Sequence, residues 1–150
     1  MPPSPSETFR RLHEATSAHG GARLFTVSRI DYDAQLSRRA YTSHPAEYPV
    51  SGTKPMVIDG WGRQVIEGQR TFVANSTDGF SPYFPDHPLI NALGCQSAIN
   101  IPVVEGGKVV GTVNLLDVEN HFTPERVAAF EALVARERPA LVAALEAMPL

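Results

Sequence analysis

A single cysteine, Cys95, stands among 150 residues. That excludes an internal disulfide and fits a reducing compartment, so the cytoplasm is the expected location. Long apolar runs are missing as well. The longest extend a few residues, far short of the ~20 a spanning helix needs, and no membrane partner is expected. The opening segment MPPSPSETFRR has no apolar h-region, so no secretory signal is expected either. There is no excess of positive charge: 13 basic against 16 acidic side chains leave a net charge of −3. Nucleic acid, whose binding draws on a basic face, is therefore not an expected partner. Repeats and low-complexity stretches are absent. Residues 1–5 read as a flexible tail and residues 6–150 as one domain. What the chain does have is a composition that is 43% hydrophobic, enough to fill the core of one domain of this length.

Punctuation residues divide that domain into elements. Ser6 reads as the N-cap of a first helix with Glu7 in its opening turn. Phe9, Leu12 and Thr16 form its apolar stripe, and Gly20-Gly21 stops it. Ala22 to Ile30 and Leu36 to Ser43 read as a β-hairpin around Asp31-Tyr32-Asp33-Ala34. His44 to Pro55, with three prolines, reads as loop. Asp59 caps a short helix in which Trp61 and Val65 share a face, and Gly68 ends it. Thr71 to Ala74 is a short strand, Asn75 to Pro85 is irregular, and Asp86 to Gly94 is a short helix with Pro in its first turn. The clearest hairpin pairs Ser97 to Val104 with Lys108 to Val118 through Glu105-Gly106-Gly107, and its apolar arms place it at the sheet's centre. Thr123, Pro124 and Glu125 open a long C-terminal helix. Val127, Val134, Leu141 and Met148 recur along it every seven residues, and Pro139 is expected to kink or split it. The order is helix, two strands, short helix, strand, short helix, two strands, long helix, which makes an α+β fold with an antiparallel sheet.

This series resembles the GAF domain family. The resemblance is carried most by Ser97-Ala98-Ile99-Asn100-Ile101-Pro102-Val103-Val104, by Gly106-Gly107-Lys108-Val109-Val110-Gly111-Thr112-Val113-Asn114-Leu115, and by the helix entry His121-Phe122-Thr123-Pro124-Glu125. It covers roughly Ser6 to Leu145. The resemblance implies a central antiparallel sheet of five to six strands with the terminal helices on one face. Loops and short helices would close a small-molecule pocket on the other, with His44 to Gly94 as its roof. It also implies a homodimer through the terminal helices. No output region is seen in these residues, so a stand-alone sensory module for a small organic ligand is expected, its signal passing to another protein or to a change in the dimer. The expected ligand contacts are Tyr48, Trp61, Arg63, Phe84, His87, Cys95 and Asn100.

Sharper chemistries find little support. The Asn-Lys dipeptide of cyclic-nucleotide members is missing, and Gly94-Cys95-Gln96 matches no bilin-attachment context. Methionine-sulfoxide reduction, the family's redox branch, needs a resolving thiol that one cysteine cannot provide internally. Cys95 acting with an external thiol stays open beside its reading as a buried, inert residue, since its place after a helix C-terminus disfavours the thiolate. A structural dimerisation domain with a self-filled pocket is the other alternative. Asp117-x-Glu119-x-His121 has no metal-site spacing, and no Gly-x-Ser-x-Gly elbow accompanies Ser81 or Ser97. Neither a metal nor a cofactor is expected, and no catalytic residue is assigned. The helix start at Asp59-Gly60, with Lys54 and Arg63 nearby, reads as a plain capped helix or an anion contact. Regular pairing of Glu105 with Lys108 would set Asn100 against Val113 and Asn114 against Ile99. The two amides would then lie on opposite faces, with Asn100 towards the pocket.

Overall fold

The computed structural model describes residues 3–50, 52–57 and 59–148. Its first helix, α1 (Pro5–Thr16), is capped by Ser4, whose hydroxyl accepts the Glu7 amide. The start therefore lies two residues before the expected Ser6 cap, and Pro5 takes a first-turn position where its missing N–H costs nothing. Of the segment read as a tail, Met1 and Pro2 lie outside the described residues. Strands β1 (Leu24–Asp31) and β2 (Leu36–Thr42) form the first hairpin. The stretch read as loop ends in a short strand, β3 (Thr53–Pro55), paired with β2. Then follow α2 (Gly60–Gly62), β4 (Phe72–Ala74), α3 (Thr77–Phe80) and α4 (His87–Ala92). The chain closes with β5 (Ser97–Glu105), β6 (Lys108–Asp117) and α5 (Pro124–Ala147).

The six strands make one antiparallel sheet in the order β3-β2-β1-β6-β5-β4. β1 and β6 occupy its centre, and β5 lies one strand in from the β4 edge, so only one arm of the long hairpin is central. Alternation assigns the two faces. Phe25 and Val27, Ile99, Ile101 and Val103, and Val113 and Leu115 pack with Phe9, Leu12, Phe130, Val134 and Leu141 in the core beneath α1 and α5. Their even-numbered neighbours turn to the opposite face, where Leu24, Ala98 and Leu116 meet Val65, Phe72, Phe80, Phe84 and Ile90 in a second core under the roof.

Pro139 does not split α5, which runs unbroken from Pro124 to Ala147. Leu133 and Val134 before it, and Leu141 and Val142 after it, are all buried in the same core. That burial holds both halves in one helix at the cost of a single backbone hydrogen bond.

Candidate functional site

The long hairpin positions the site through an irregularity. Gly106 and Gly107 have φ of 60° and 76°, as a primed two-residue turn requires, and Glu105 pairs with Lys108 as expected. A bulge follows at once. Val104 pairs with Val109 but Val103 pairs with Gly111, so β6 carries one extra residue. Beyond it the register moves by one, and Asn100 lies directly opposite Asn114. The expected placement of the two amides on opposite faces is thereby corrected. Both face the roof, buried, and Asn100 Nδ2 donates to Asn114 Oδ1 at 2.8 Å.

The direction of this pair is set by Trp61. Its indole Nε1 can only donate, and it does so to Asn100 Oδ1 at 3.0 Å. Asn100 must then offer nitrogen to Asn114, and Asn114 in turn offers Nδ2 to the hydroxyls of Thr26 (3.1 Å) and Ser28 (3.3 Å). The relay crosses three strands and ends on two hydroxyls whose own protons remain to be donated. Trp61 reaches it from α2, where Asp59 Oδ1 accepts the Gly62 amide. The helix continues as a π turn over Arg63–Glu67, closed by the Gly68 N–H on the Arg63 carbonyl.

Between this floor and the roof lies a cavity of about 360 Å³, within the range of small-molecule sites. Strand pairing grades its floor. Leu24 and Leu116 form an apolar row, Thr26, Asn114 and Asn100 an amide row, and Thr112, Ser28 and Arg39 a hydroxyl-to-cation row; Ile30, Ser37 and Lys54 complete it. The Arg39 guanidinium lies 3.9 Å from the Tyr48 ring centre and donates to the Pro49 carbonyl at 2.8 Å. The Lys54 ammonium sits 4.6 Å from the Phe84 ring centre and donates to the Tyr83 carbonyl at 3.0 Å. Burial lowers the pKa of Lys54, with Asp59 opposing, and lowers that of Arg39, with Asp86 opposing. Burial likewise raises the Asp86 carboxyl, against its own backbone N–H and the charges of Arg39 and His87.

Of the expected contacts, Tyr48, Trp61, Phe84 and Asn100 line the cavity, and Arg63, His87 and Cys95 do not. Arg63 is exposed on the outer side of its turn, where Trp61 and Ile66 take the inward positions. His87 opens α4, and the cavity is lined instead by Asp86, which precedes the helix, and by Ile90 within it. Cys95 is fully buried in the roof core, and that burial, with the Asp117 carboxylate adding and Arg23 opposing, pushes its thiol up to about 11. Arg39, Asp86, Thr26, Ser28, Ser37, Thr112 and Asn114 also line the cavity and were not expected there. For Thr26 and Ser28 the signal was their alternation with the apolar Phe25 and Val27 along β1.

Among the described residues no trio of His, Cys, Asp or Glu side chains is arranged to hold a metal ion. Asp117 instead accepts the Arg23 amide and lies 3.5 Å from His121, whose Nε2 bonds the Gly21 carbonyl. No helix of the described residues is long and apolar enough to cross a membrane.

A family model for the GAF domain matches residues 3–136. No curated protein matches. Among solved structures, the chain is similar to a GAF domain/HD domain protein from Geobacter sulfurreducens, at 12% identity and TM-score 0.74 over 93% of each chain. It is also similar to the GAF domain of a two-component sensor histidine kinase from Bacillus halodurans, at 11% identity and TM-score 0.73 over 91% of this chain and 92% of that one. A third likeness is to the chromophore-binding domain of a bacteriophytochrome from R. palustris, at 11% identity and TM-score 0.70 over 98% of this chain and 58% of that one. Identities this low speak for the fold, and the family match carries membership: the chain belongs to the GAF domain family.

Proposed function

We propose that this protein is a sensory module that binds a small organic molecule between the sheet and the roof and carries out no catalysis of its own. The observation that carries this reading is the relay from Trp61 through Asn100 and Asn114 to Thr26 and Ser28, set in the floor of a cavity of about 360 Å³. Buried amides are costly unless bonded, so a cavity needing only bulk would be floored by aliphatic side chains. A floor with fixed donors and acceptors under apolar walls instead suits recognition of one molecule in one orientation. The open volume also counts against a pocket filled by its own side chains. Cys95, away from the cavity with its thiol pushed up to about 11, is poorly suited to redox attack.

Output is proposed to pass through another protein or through a homodimer. Val134 and Leu141 of the heptad stripe are committed to the internal core, so pairing of the terminal helices would use the outer face of α5, where Ala128, Ala132, Ala135 and Ala143 are exposed.

Native mass spectrometry tests the reading, at gentle and then denaturing settings. The wild type is expected to carry a reproducible excess mass that is lost on denaturation and absent from Ser28→Phe, whose ring would occupy the cavity. An adduct that persists in that variant, or a wild type with no adduct and no Trp61 fluorescence response to a metabolite panel, removes the reading. The same spectra report the dimer, and a monomer at micromolar concentration ends the pairing proposal.

A further inference from the structure

Among the described residues four charged side chains line the cavity, Arg39, Lys54, Asp59 and Asp86, and they are not equally provided for. Asp59 holds the Gly62 amide with its carboxylate. Arg39 is stacked on Tyr48 and bonded to the Pro49 carbonyl at a position open to solvent. Lys54 differs. Its ammonium is drawn inwards against Phe84 at 4.6 Å and towards Trp61 at 5.8 Å. One carbonyl, that of Tyr83, accepts from it, leaving two of its three N–H donors. Among the described residues no carboxylate lies within ion-pair distance of it. A desolvated cation without a contacting anion is expensive, and aromatic faces and one carbonyl offset only part of that cost. A surface lysine ordinarily avoids the expense by extending its long stem into water; this one extends under the roof.

The floor gives the rest of the ligand its polarity. Its cationic end is the side of Lys54, Ser37 and Arg39, its middle is the amide relay, and its far end is the apolar row of Leu24 and Leu116 beneath Ile90. Resting on the binding reading above, we propose that the cavity takes an amphipathic organic monocarboxylate. Its carboxylate lies against the Lys54 ammonium and its apolar body runs along Leu24, Leu116 and Ile90. A monoanion fits because the Arg39 bond to Pro49 is open to solvent while Lys54, held under the roof, has two donors free; a doubly charged phosphate would call for more donors than Lys54 has free.

The test uses matched probes that differ in charge and hardly in shape: 3-phenylpropionate and hexanoate against their primary amides. Binding is read by Trp61 fluorescence and by titration calorimetry, alongside the native mass of any co-purified molecule. The carboxylates are expected to bind at least about tenfold more tightly than the amides. Lys54→Met should erase that preference while leaving the weak amide binding in place. Lys54→Gln serves as the second variant, with circular dichroism confirming that each folds. Amides binding as well as carboxylates, a preference that survives both Lys54 variants, or a neutral co-purified molecule would overturn the carboxylate assignment and leave the binding reading standing. No response to any probe together with no adduct would overturn both.

Discussion

At the scale of single residues, burial sets the chemistry. Cys95 has no accessible surface, and its thiol is pushed up to about 11, so at pH 8 about one molecule in a thousand carries the thiolate. Labelling by a disulfide reagent at that pH is expected to follow unfolding, slow in buffer and complete within minutes in denaturant. Rapid labelling of the folded protein would contradict the burial. His13 offers a pH-dependent case. Its ring stacks on Phe25 at 4.6 Å and 5°. Burial lowers its pKa from the ordinary 6.5, with Glu14 opposing and His44 adding to the fall. In the unfolded chain His13 therefore binds protons at a higher pH than in the fold, so stability is lost as pH drops below about 6.5. His13→Phe keeps the stack and should flatten the fall in Tm between pH 7.5 and 5.5. Asn100 is the costly position. Replacing it with Leu strands the Trp61 N–H and the Asn114 oxygen, and urea unfolding should show a loss of about 2–4 kcal/mol.

Among the elements, the long hairpin carries most of the site's geometry. Gly111 sits just past the bulge, where a Cβ would meet the Ser28 carbonyl and come within 2.7 Å of Leu145. Gly111→Ala must therefore push β1 and α5 apart, and a loss of about 2–3 kcal/mol is expected in denaturant titration. Gly106 has φ of 60° with nothing near it, so Gly106→Asn should be tolerated within about 0.5 kcal/mol and Gly106→Val should not. In α5, Pro139 is exposed and withholds a donor from the carbonyl of Ala135, an exposed residue. Pro139→Ala restores that bond and should stabilise the protein by about 1–3 kcal/mol. These elements were legible from their punctuation: Thr123-Pro124-Glu125 opens α5, and Gly106-Gly107 turns the hairpin. The bulge was not, because Val109-Val110-Gly111 reads equally well as regular strand. Only pairing against β5 shows that one residue is extra, and that residue decides where Asn114 points.

For the whole molecule, one sheet serves two tasks. The face under α1 and α5 is filled with Phe9, Phe25, Ile99, Leu115, Phe130 and Leu141, each buried to within 1% of completely. That core gives the polar face a rigid backing. Leu141→Ala should cost about 2–5 kcal/mol, yet a variant still folded at low temperature should keep its probe affinity, because Leu141 lies on the far side from the cavity. The separation of faces also explains which cavity residues were foreseen. Tyr48, Trp61 and Phe84 are conspicuous aromatics in a roof segment, and Asn100 is a polar interruption in an apolar strand. Arg39 reads as an ordinary charge on a hairpin strand, and Lys54, in a stretch that reads as loop, as no more than an anion contact beside Asp59. Lys54 lines the cavity because β3 pairs with β2 and brings it opposite Ser37, and Arg39 because β2 pairs with β1 and brings it opposite Ser28.

The amino-acid sequence by itself determined the α+β class, the long hairpin with its turn, the cap that opens α5, the apolar stripe that becomes the main core and the family the chain belongs to. Those properties depend on local conformational preference and on period, which neighbouring residues carry between them. The tertiary structure alone decided the register beyond the bulge, the joining of Trp61, Asn100, Asn114, Thr26 and Ser28 into one relay, and the drawing of Lys54 under the roof while Arg63, His87 and Cys95 stayed out of the cavity. Each of those depends on residues far apart in the chain meeting at hydrogen-bond distance, and a shift of one residue in one strand is enough to send a side chain to the other face.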